Sequence, residues 1–168
     1  METKEAILKR KSTRKFNGNS LDHETTKAIL EAAMAAPSAV NRQPWEFYIV
    51  KNKDVQQEIR KSSPFSNYNS DLIIIVAGNT KNEFGLSNEF IVTDCSAAIE
   101  NMLVRATDLG VATVWCAIYP DEKRMSKVRE ILHIDEAIIP FAIIHLGYSD
   151  DKLEERTKYD EKKIHVVE

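Results

Sequence analysis

Long apolar runs are missing from this 168-residue chain. Nothing approaches the ~18 consecutive apolar residues that crossing a bilayer requires, so no membrane partner is expected. Cysteine is scarce: Cys95 and Cys116 are too few and too far apart for a disulfide framework or a zinc site of paired thiolates, and both read as buried free thiols. The four histidines, His23, His133, His145 and His165, are scattered without metal-ligand spacing, so no metal is expected. An excess of positive charge is also lacking. The net charge is -3 and the pI about 5.9, which argues against a nucleic-acid backbone as partner and confines any basic site to a local cluster. There is no G-x-G-x-x-G after a strand, no Walker-type loop, no H-E-x-x-H and no G-x-S-x-G. Without a recognisable nucleophile, metal or carboxylate pair, difficult chemistry would have to come from a bound cofactor.

What is present is ordinary globular material, 43% hydrophobic and 29% charged, with no repeat, low-complexity tract or linker, so residues 1–168 are expected to form a single domain. The charged stretch Glu2 to Arg14 lacks the apolar core of a secretory leader, and a cytoplasmic location is expected. The pattern predicts helices over Lys4 to Arg10, His23 to Ala35 with Asp22 as N-cap and Pro37 as stop, Asp54 to Ser62 with Asp54 as cap, Phe90 to Leu109 ending on a left-handed Gly110, and Asp121 to Leu132. Strands are predicted over Trp45 to Val50, Leu72 to Ala77, Val111 to Ile118 and Ile139 to Leu146. The Leu72 to Ala77 run is continuously aliphatic and suits a strand buried on both faces. Helices and strands intermix around a sheet of four or five strands, an α+β arrangement whose strand order the pattern does not supply. Ser149 to Lys163 carries eleven charged residues in fifteen and is followed by Ile164, His165, Val166 and Val167. This arm reads equally as a frayed terminus or as an edge strand docking on a partner subunit.

Three constellations could carry chemistry. In Arg10-Lys11-Ser12-Thr13-Arg14-Lys15-Phe16, four cations and two hydroxyls follow a helix end. Arg presents a planar fork to phosphate oxygens and Ser a short directional donor, although a solvated basic turn has the same composition. In Pro37-Ser38-Ala39-Val40-Asn41-Arg42-Gln43-Pro44-Trp45, two prolines restrict the backbone and present amides with the side chains of Ser38, Asn41 and Gln43. The edge of a planar heteroaromatic could use these, and a rigid helix-to-strand loop would look the same. In Asp94 to Leu103, the small residues Ser96, Ala97 and Ala98 allow a close helix approach, in a core or at a subunit interface. Cys116 beside Trp115 has no base assigned to it and is not read as a nucleophile.

Taken in order from Arg10 to about His165, these segments resemble the nitroreductase family. Arg10, Lys11, Ser12 and Arg14 match its R-R-S-x-R-type opening, with Lys11 a mild departure. Pro37, Ser38, Asn41, Gln43, Pro44 and Trp45 match its P-S-x-x-N-x-Q-P-W loop throughout, and Asp94 to Leu103 is similar to its D-x-x-A-A-x-x-N-M-L segment. Gly147-Tyr148 followed by Arg156, Lys158 and Lys163 resembles its glycine-aromatic and basic C-terminal element, where the family's usual K-x-R here reads Arg156-Thr157-Lys158.

The resemblance implies a mixed, mainly antiparallel sheet flanked by helices in an intertwined homodimer, with arm 149–168 docked on the partner and FMN bound at the interface. Arg10, Lys11 and Ser12 would hold the phosphate with Arg156 and Lys158, or with Lys162 or Lys163 in their place. Arg14 would face the pyrimidine side of the ring. Pro37, Ser38, Ala39 and Asn41 of the other subunit would complete the pocket, and Trp115, Cys116, Ala117 and Ile118 would border the ring near N5 through backbone amides. No catalytic side chain is implied, because the flavin carries the hydride and solvent can supply the proton. The activity implied is ping-pong transfer of two electrons from NAD(P)H to a nitroaromatic, quinone or similar flat acceptor. Other reduced-flavin chemistry (flavin or iron-chelate reduction, dehydrogenation, oxygen-dependent ring fragmentation) and non-catalytic FMN storage are alternatives. The loop from Asn79 to Glu89 is expected to border the substrate; neither the acceptor nor the choice of NADH or NADPH can be read from it.

Overall fold

In the computed structural model of the chain, which describes residues 1–81 and 85–168, capping chemistry sets most helix starts. Asp22 accepts the Thr25 amide at 2.6 Å ahead of α2 (His23–Met34), and Asp121 accepts the Arg124 amide ahead of α5 (Glu122–Leu132). The third helix corrects the expectation placed on Asp54. Asn52 caps α3 (Lys53–Lys61) by accepting the Asp54 and Val55 amides, which leaves Asp54 in the first turn, where a negative charge favours the helix N-terminus. The second helix ends three residues before Pro37, because a proline ring collides with a helical carbonyl four residues back and excludes helical geometry from the residue before it. α1 spans Thr3–Lys9, and α4 (Phe90–Asp108) is the longest described helix, closed by Gly110 at φ 73°.

Four strands, β1 (Trp45–Val50), β2 (Leu72–Asn79), β3 (Ala112–Ala117) and β4 (Ile138–Gly147), form one antiparallel sheet in the order β1-β2-β4-β3. Alternation along the central strands divides two cores. Leu72, Ile74 and Val76 with Ala142, Ile144 and Leu146 face α2 and α4, while Ile73, Ile75 and Ile143 face α3 and α5. That explains why β2 reads as an unbroken aliphatic run although its pairing is antiparallel. Pro140 lies in a central strand and cannot donate to the ladder; the register shifts there, so that Ala77 pairs with Pro140 and Val76 with Ala142. The skipped Phe141 turns its carbonyl to the amides of Ile118 and Tyr119.

Glycine sets the layer spacing at two sites. A Cβ on Gly78 would lie 2.1 Å from Cγ2 of Ile91 in the first turn of α4, and one on Gly147 would lie 2.9 Å from Cδ1 of Phe16. Among the described residues no helix is long and apolar enough to cross a membrane.

The outer edge of β3 is partly covered by the chain's own N-terminal segment. Ser12 bridges Thr113 in parallel, and the Thr13 amide donates to the Thr113 carbonyl at 2.8 Å. The outer edge of β1 carries no paired strand among the described residues. The arm beyond Ser149 runs over the surface with a short 3₁₀ turn at Glu161–Lys163 and ends with Val166 and Val167 almost wholly exposed.

Candidate functional site

The parallel bridge at Ser12 lays the basic segment along β3, so that side chains from the N-terminus sit beside the end of a strand more than 100 residues later. Arg14 lies close enough to Cys116 for its charge to act on that thiol. Arg14 is exposed and has no acidic partner among the described residues. Two residues before the bridge, Arg10 extends Nε to Glu100 Oε1 on α4 at 3.2 Å, and its terminal nitrogens have no hydrogen-bond partner among the described residues. Lys11 donates Nζ to the Lys152 carbonyl at 2.7 Å, and the Arg156 amide donates to the Leu8 carbonyl at 2.9 Å. The structure therefore brings Arg10, Lys11, Ser12 and the arm around Arg156 to one place. Lys158, Lys162 and Lys163 are exposed, with no side-chain bond to this cluster.

The second constellation is held elsewhere on α4. Asp94 is buried near its N-terminal end and accepts from the Ala39 amide on Oδ1 and from Arg42 Nε on Oδ2, both at 3.0 Å. Six residues separate Asp94 from Glu100, about 9 Å along a helix axis, so one helix carries a contact to each constellation. Between Ala39 and Arg42 the backbone is left-handed at Val40 (φ 48°) and Asn41 (φ 57°), and again at Gln43 (φ 48°). Such geometry is costly for a branched residue and is characteristic of loops that present groups to a ligand. Ser38 Oγ accepts the Gln43 amide at 2.9 Å, which leaves its proton free to donate outward. Asn41 Oδ1 accepts from Gln43 Nε2 at 3.1 Å, and the residue is exposed. Pro37 is exposed and Ala39 half-buried.

Along β3, Cys116 is buried and Trp115 half-buried; Ala117 is exposed, and Ile118 packs into the α3/α5 core. Burial pushes the Cys116 thiol up to about 11, against the opposing pull of Arg14, and pushes Cys95 up to about 12. Both are protonated at neutral pH and neither is an activated nucleophile. No group of three or more His, Cys, Asp or Glu among the described residues is arranged to hold a metal.

Several contributors escaped the sequence reading. Asp94 was legible as an acid inside an otherwise apolar helix turn, but its partner Arg42 lies 52 residues away, and nothing local marks the pairing. Asn101 serves the scaffold by donating to the Ala32 carbonyl at 3.1 Å, tying α4 to α2. His145 is clamped between Ser66 and Ser70, whose hydroxyls lie 2.8 Å from Nε2 and Nδ1. It fixes the loop whose Phe65 carbonyl accepts from Cys116 Sγ at 3.1 Å. Of the loop expected to border substrate, residues 82–84 lie outside the described residues.

The single chain also carries two sizeable concavities, the second of which reaches Glu100, the partner of Arg10. One of about 550 Å³ runs between α2 and the open edge of β1, lined by Leu21, Leu30, Met34 and Ile49 with Lys27 and Lys51. Another of about 580 Å³ lies between α1 and α4.

Comparison with known proteins accounts for nearly all of this framework. The family model described as "Nitroreductase family" matches residues 7–64 and 69–148, and so stops short of the arm. A protein of Archaeoglobus fulgidus provisionally named NADH dehydrogenase/NAD(P)H nitroreductase is 36% identical over 167 residues, spanning 95% of this chain and 94% of its own. A crystal structure from Parabacteroides distasonis with the same provisional name superposes with a TM-score of 0.90 at 36% identity, covering 98% of this chain and 96% of that one. An FMN-dependent nitroreductase from Clostridium difficile superposes with a TM-score of 0.83 at 26% identity, covering 97% and 98%.

Proposed function

The chain belongs to the nitroreductase family of NAD(P)H oxidoreductases, and we propose that within it the protein acts as a homodimer, using FMN to pass two electrons by a ping-pong cycle to a flat acceptor such as a nitroaromatic or quinone. The observation that carries this reading is the Ser12–Thr113 bridge, because it lays the basic turn along β3 and so supports reading it as a ligand cradle. The donor set fits FMN. Arg10, Lys11 and Ser12, with the arm at Arg156, suit a phosphate dianion, and charge-assisted bonds of this kind contribute about 1.5–3 kcal/mol each. Arg14, whose charge reaches the Cys116 thiol, suits the electron-rich edge of a ring lying along Trp115–Ile118. When bound, FMN supplies the hydride acceptor and two-electron donor that the side chains lack. Arg14 would stabilise negative charge on the pyrimidine side electrostatically, and the Ala117 segment would offer backbone groups to the ring. The Ser38 and Asn41 donors come from the partner's loop and close the far side.

The arm supplies the dimer contact. Its apolar end, Ile164 to Val167, suits the apolar lining (Leu21, Leu30, Met34 and Ile49) of the groove beside the outer edge of β1. Purified protein should therefore be yellow, release FMN on denaturation and sediment as a dimer. It should oxidise NADH faster with a nitroaromatic or quinone than with oxygen alone. A colourless protein that ignores FMN in a titration would end this reading.

The two arginines have separable roles. Arg10→Ala should weaken FMN binding in both redox states and leave the midpoint potential near wild type, since the phosphate charge does not change. Arg14→Gln should instead lower the two-electron potential by roughly 30–65 mV, the equivalent of ~1.5–3 kcal/mol for one lost charge-assisted contact. Redox titration of the FMN-loaded variants against a reference dye measures both. An unchanged potential in Arg14→Gln would remove that residue from the ring.

A further inference from the structure

The salt bridge between Asp94 and Arg42 is the most deeply buried ion pair among the described residues, with the two side chains 4% and 3% exposed. Its placement is specific. The two carboxylate oxygens grip the backbone at Ala39 and the guanidinium at Arg42, on either side of the left-handed dipeptide Val40–Asn41. Within residues 38–43 the other ties are internal: Asn41 amide to Ser38 carbonyl at 2.9 Å, Arg42 amide to Ala39 carbonyl at 3.1 Å, and Gln43 amide to Ser38 Oγ. Among the described residues the body of the protein holds the loop again at its end, where the Pro44 carbonyl accepts the Asn79 amide at 2.8 Å. As a device for stability alone the pair is poorly made, since Nη1 and Nη2 of Arg42 are buried and have no hydrogen-bond partner among the described residues. Buried pairs are costly to desolvate, and an apolar pair of similar volume often stabilises a fold as well or better. What an apolar pair would lack is a directional acceptor for the Ala39 amide and a planar donor fixed against it.

We propose that Asp94 and Arg42 are positioning residues for the flavin: they lock loop 37–44 in the left-handed backbone that turns the Ser38 hydroxyl and the Asn41 side-chain Nδ2 toward the cofactor held by the partner chain. The inference rests on the FMN reading above and adds to it a residue pair that touches no cofactor itself. Its first consequence belongs to the flavin-free protein. The Asn41 and Arg42 amides are hydrogen-bonded within the loop, and they stay protected only while the loop holds its shape.

The test uses the full chain and the double variant Asp94→Asn/Arg42→Met, which leaves no buried charge alone and keeps a side-chain oxygen for the Ala39 amide. Arg42→Lys is the conservative companion and the fallback should the double variant not unfold cooperatively. In flavin-free protein, hydrogen exchange at Asn41 and Arg42 should accelerate by about tenfold or more in the double variant while exchange in β2 and β4 stays as in wild type. With FMN added, affinity should fall about tenfold, the worth of one ordinary hydrogen bond, and the visible circular-dichroism bands of bound flavin should change. Arg42→Lys, which keeps the charge on Asp94 without the planar donor, should lie between the two on each readout. Wild-type exchange in a folded double variant, or in Arg42→Lys where the double variant fails, would overturn the locking role. Altered exchange with unaltered FMN affinity and dichroism would show that the loop is locked for some purpose other than flavin. Failure of the wild type to bind FMN strikes the cofactor reading instead, and is seen separately from the exchange result.

Discussion

Lowering the pH from 7 to 4 is expected to remove about 3 kcal/mol of folding stability through His145 alone. The imidazole is wholly buried in β4, and loss of solvation, with a smaller contribution from nearby Arg60, holds its pKa down at about 4. An unfolded histidine titrates near 6.5, so a gap of about 2.5 units corresponds to ~3 kcal/mol. The folded-state pKa is the lower one; the unfolded chain therefore takes up the proton first as pH falls. The contribution is complete above about pH 6.5, is lost progressively toward pH 4, and is level below that. The Ser66 and Ser70 hydroxyls give the same direction. In the neutral ring one nitrogen donates and the other accepts, while a protonated ring would offer two donors, one of them to a hydroxyl now arranged to donate. Urea unfolding at pH 7, 5.5 and 4.5 measures the effect against His145→Gln, which cannot titrate. Exposed carboxylates contribute equally to both proteins, so the signal is the difference in slope. Parallel curves would mean that His145 is solvated and ordinary.

Gly78→Ala is expected to cost about 3 kcal/mol, the upper part of the range for overpacking a well-filled core. The added methyl would lie 2.1 Å from Cγ2 and 3.3 Å from Cβ of Ile91, whose side chain is 1% exposed and cannot swing into solvent. Relief must come from moving the first turn of α4 off β2. In a chain of this length the melting temperature should drop by roughly 6–12 °C. Asp94 stands one turn further along the same helix, so the displacement should also weaken FMN binding, an effect that a purely local strain in β2 would not produce. The double variant Gly78→Ala/Ile91→Ala should cost clearly less than the sum of its two single changes, because the second removes the atom that the first strikes. Strict additivity in thermal and urea unfolding would show that the helix and the sheet do not meet at this point.

Local chemistry made most elements readable. Asp22 and Asp121 cap where polar acceptors precede apolar periodicity, and Gly110 ends α4 where a left-handed residue is required. Asn52 and Asp54 are both competent caps two residues apart, and sequence does not rank them; the fold selects Asn52 because α3 begins at Lys53. Strand order escaped because an aliphatic strand such as β2 fits any interior position. Its neighbours are decided by long-range packing on both faces. The left-handed Val40 was not legible at all, since a branched residue is the last choice for such a backbone. It is imposed by Asp94, from 54 positions away. The basic segment is contiguous and visible in the sequence, but that it lies along β3 follows from a bridge to Thr113, about which the residues near Ser12 carry no information.

The two edges of the sheet are not equivalent, and this has a consequence for how the chain survives before it finds a partner. At β3 the Ser12–Thr13 segment occupies part of the hydrogen-bonding edge. At β1 the edge is bare, and its sequence Trp-Glu-Phe-Tyr-Ile-Val carries a single charge, no proline and three aromatic residues. Such a segment is a template for growth by strand addition, and the usual safeguards of an exposed edge, lysine, proline or a bulge, are absent from it. The lysines stand just beyond its end, at Lys51 and Lys53. In the proposed dimer, an arm with eleven charges in fifteen residues, delivered to that edge by a second copy, would be a solubility device as much as an assembly contact. A chain cut after Ser149 would retain every cap, both cores and the bridge to β3, and would still leave newly made protein open to precipitation along β1.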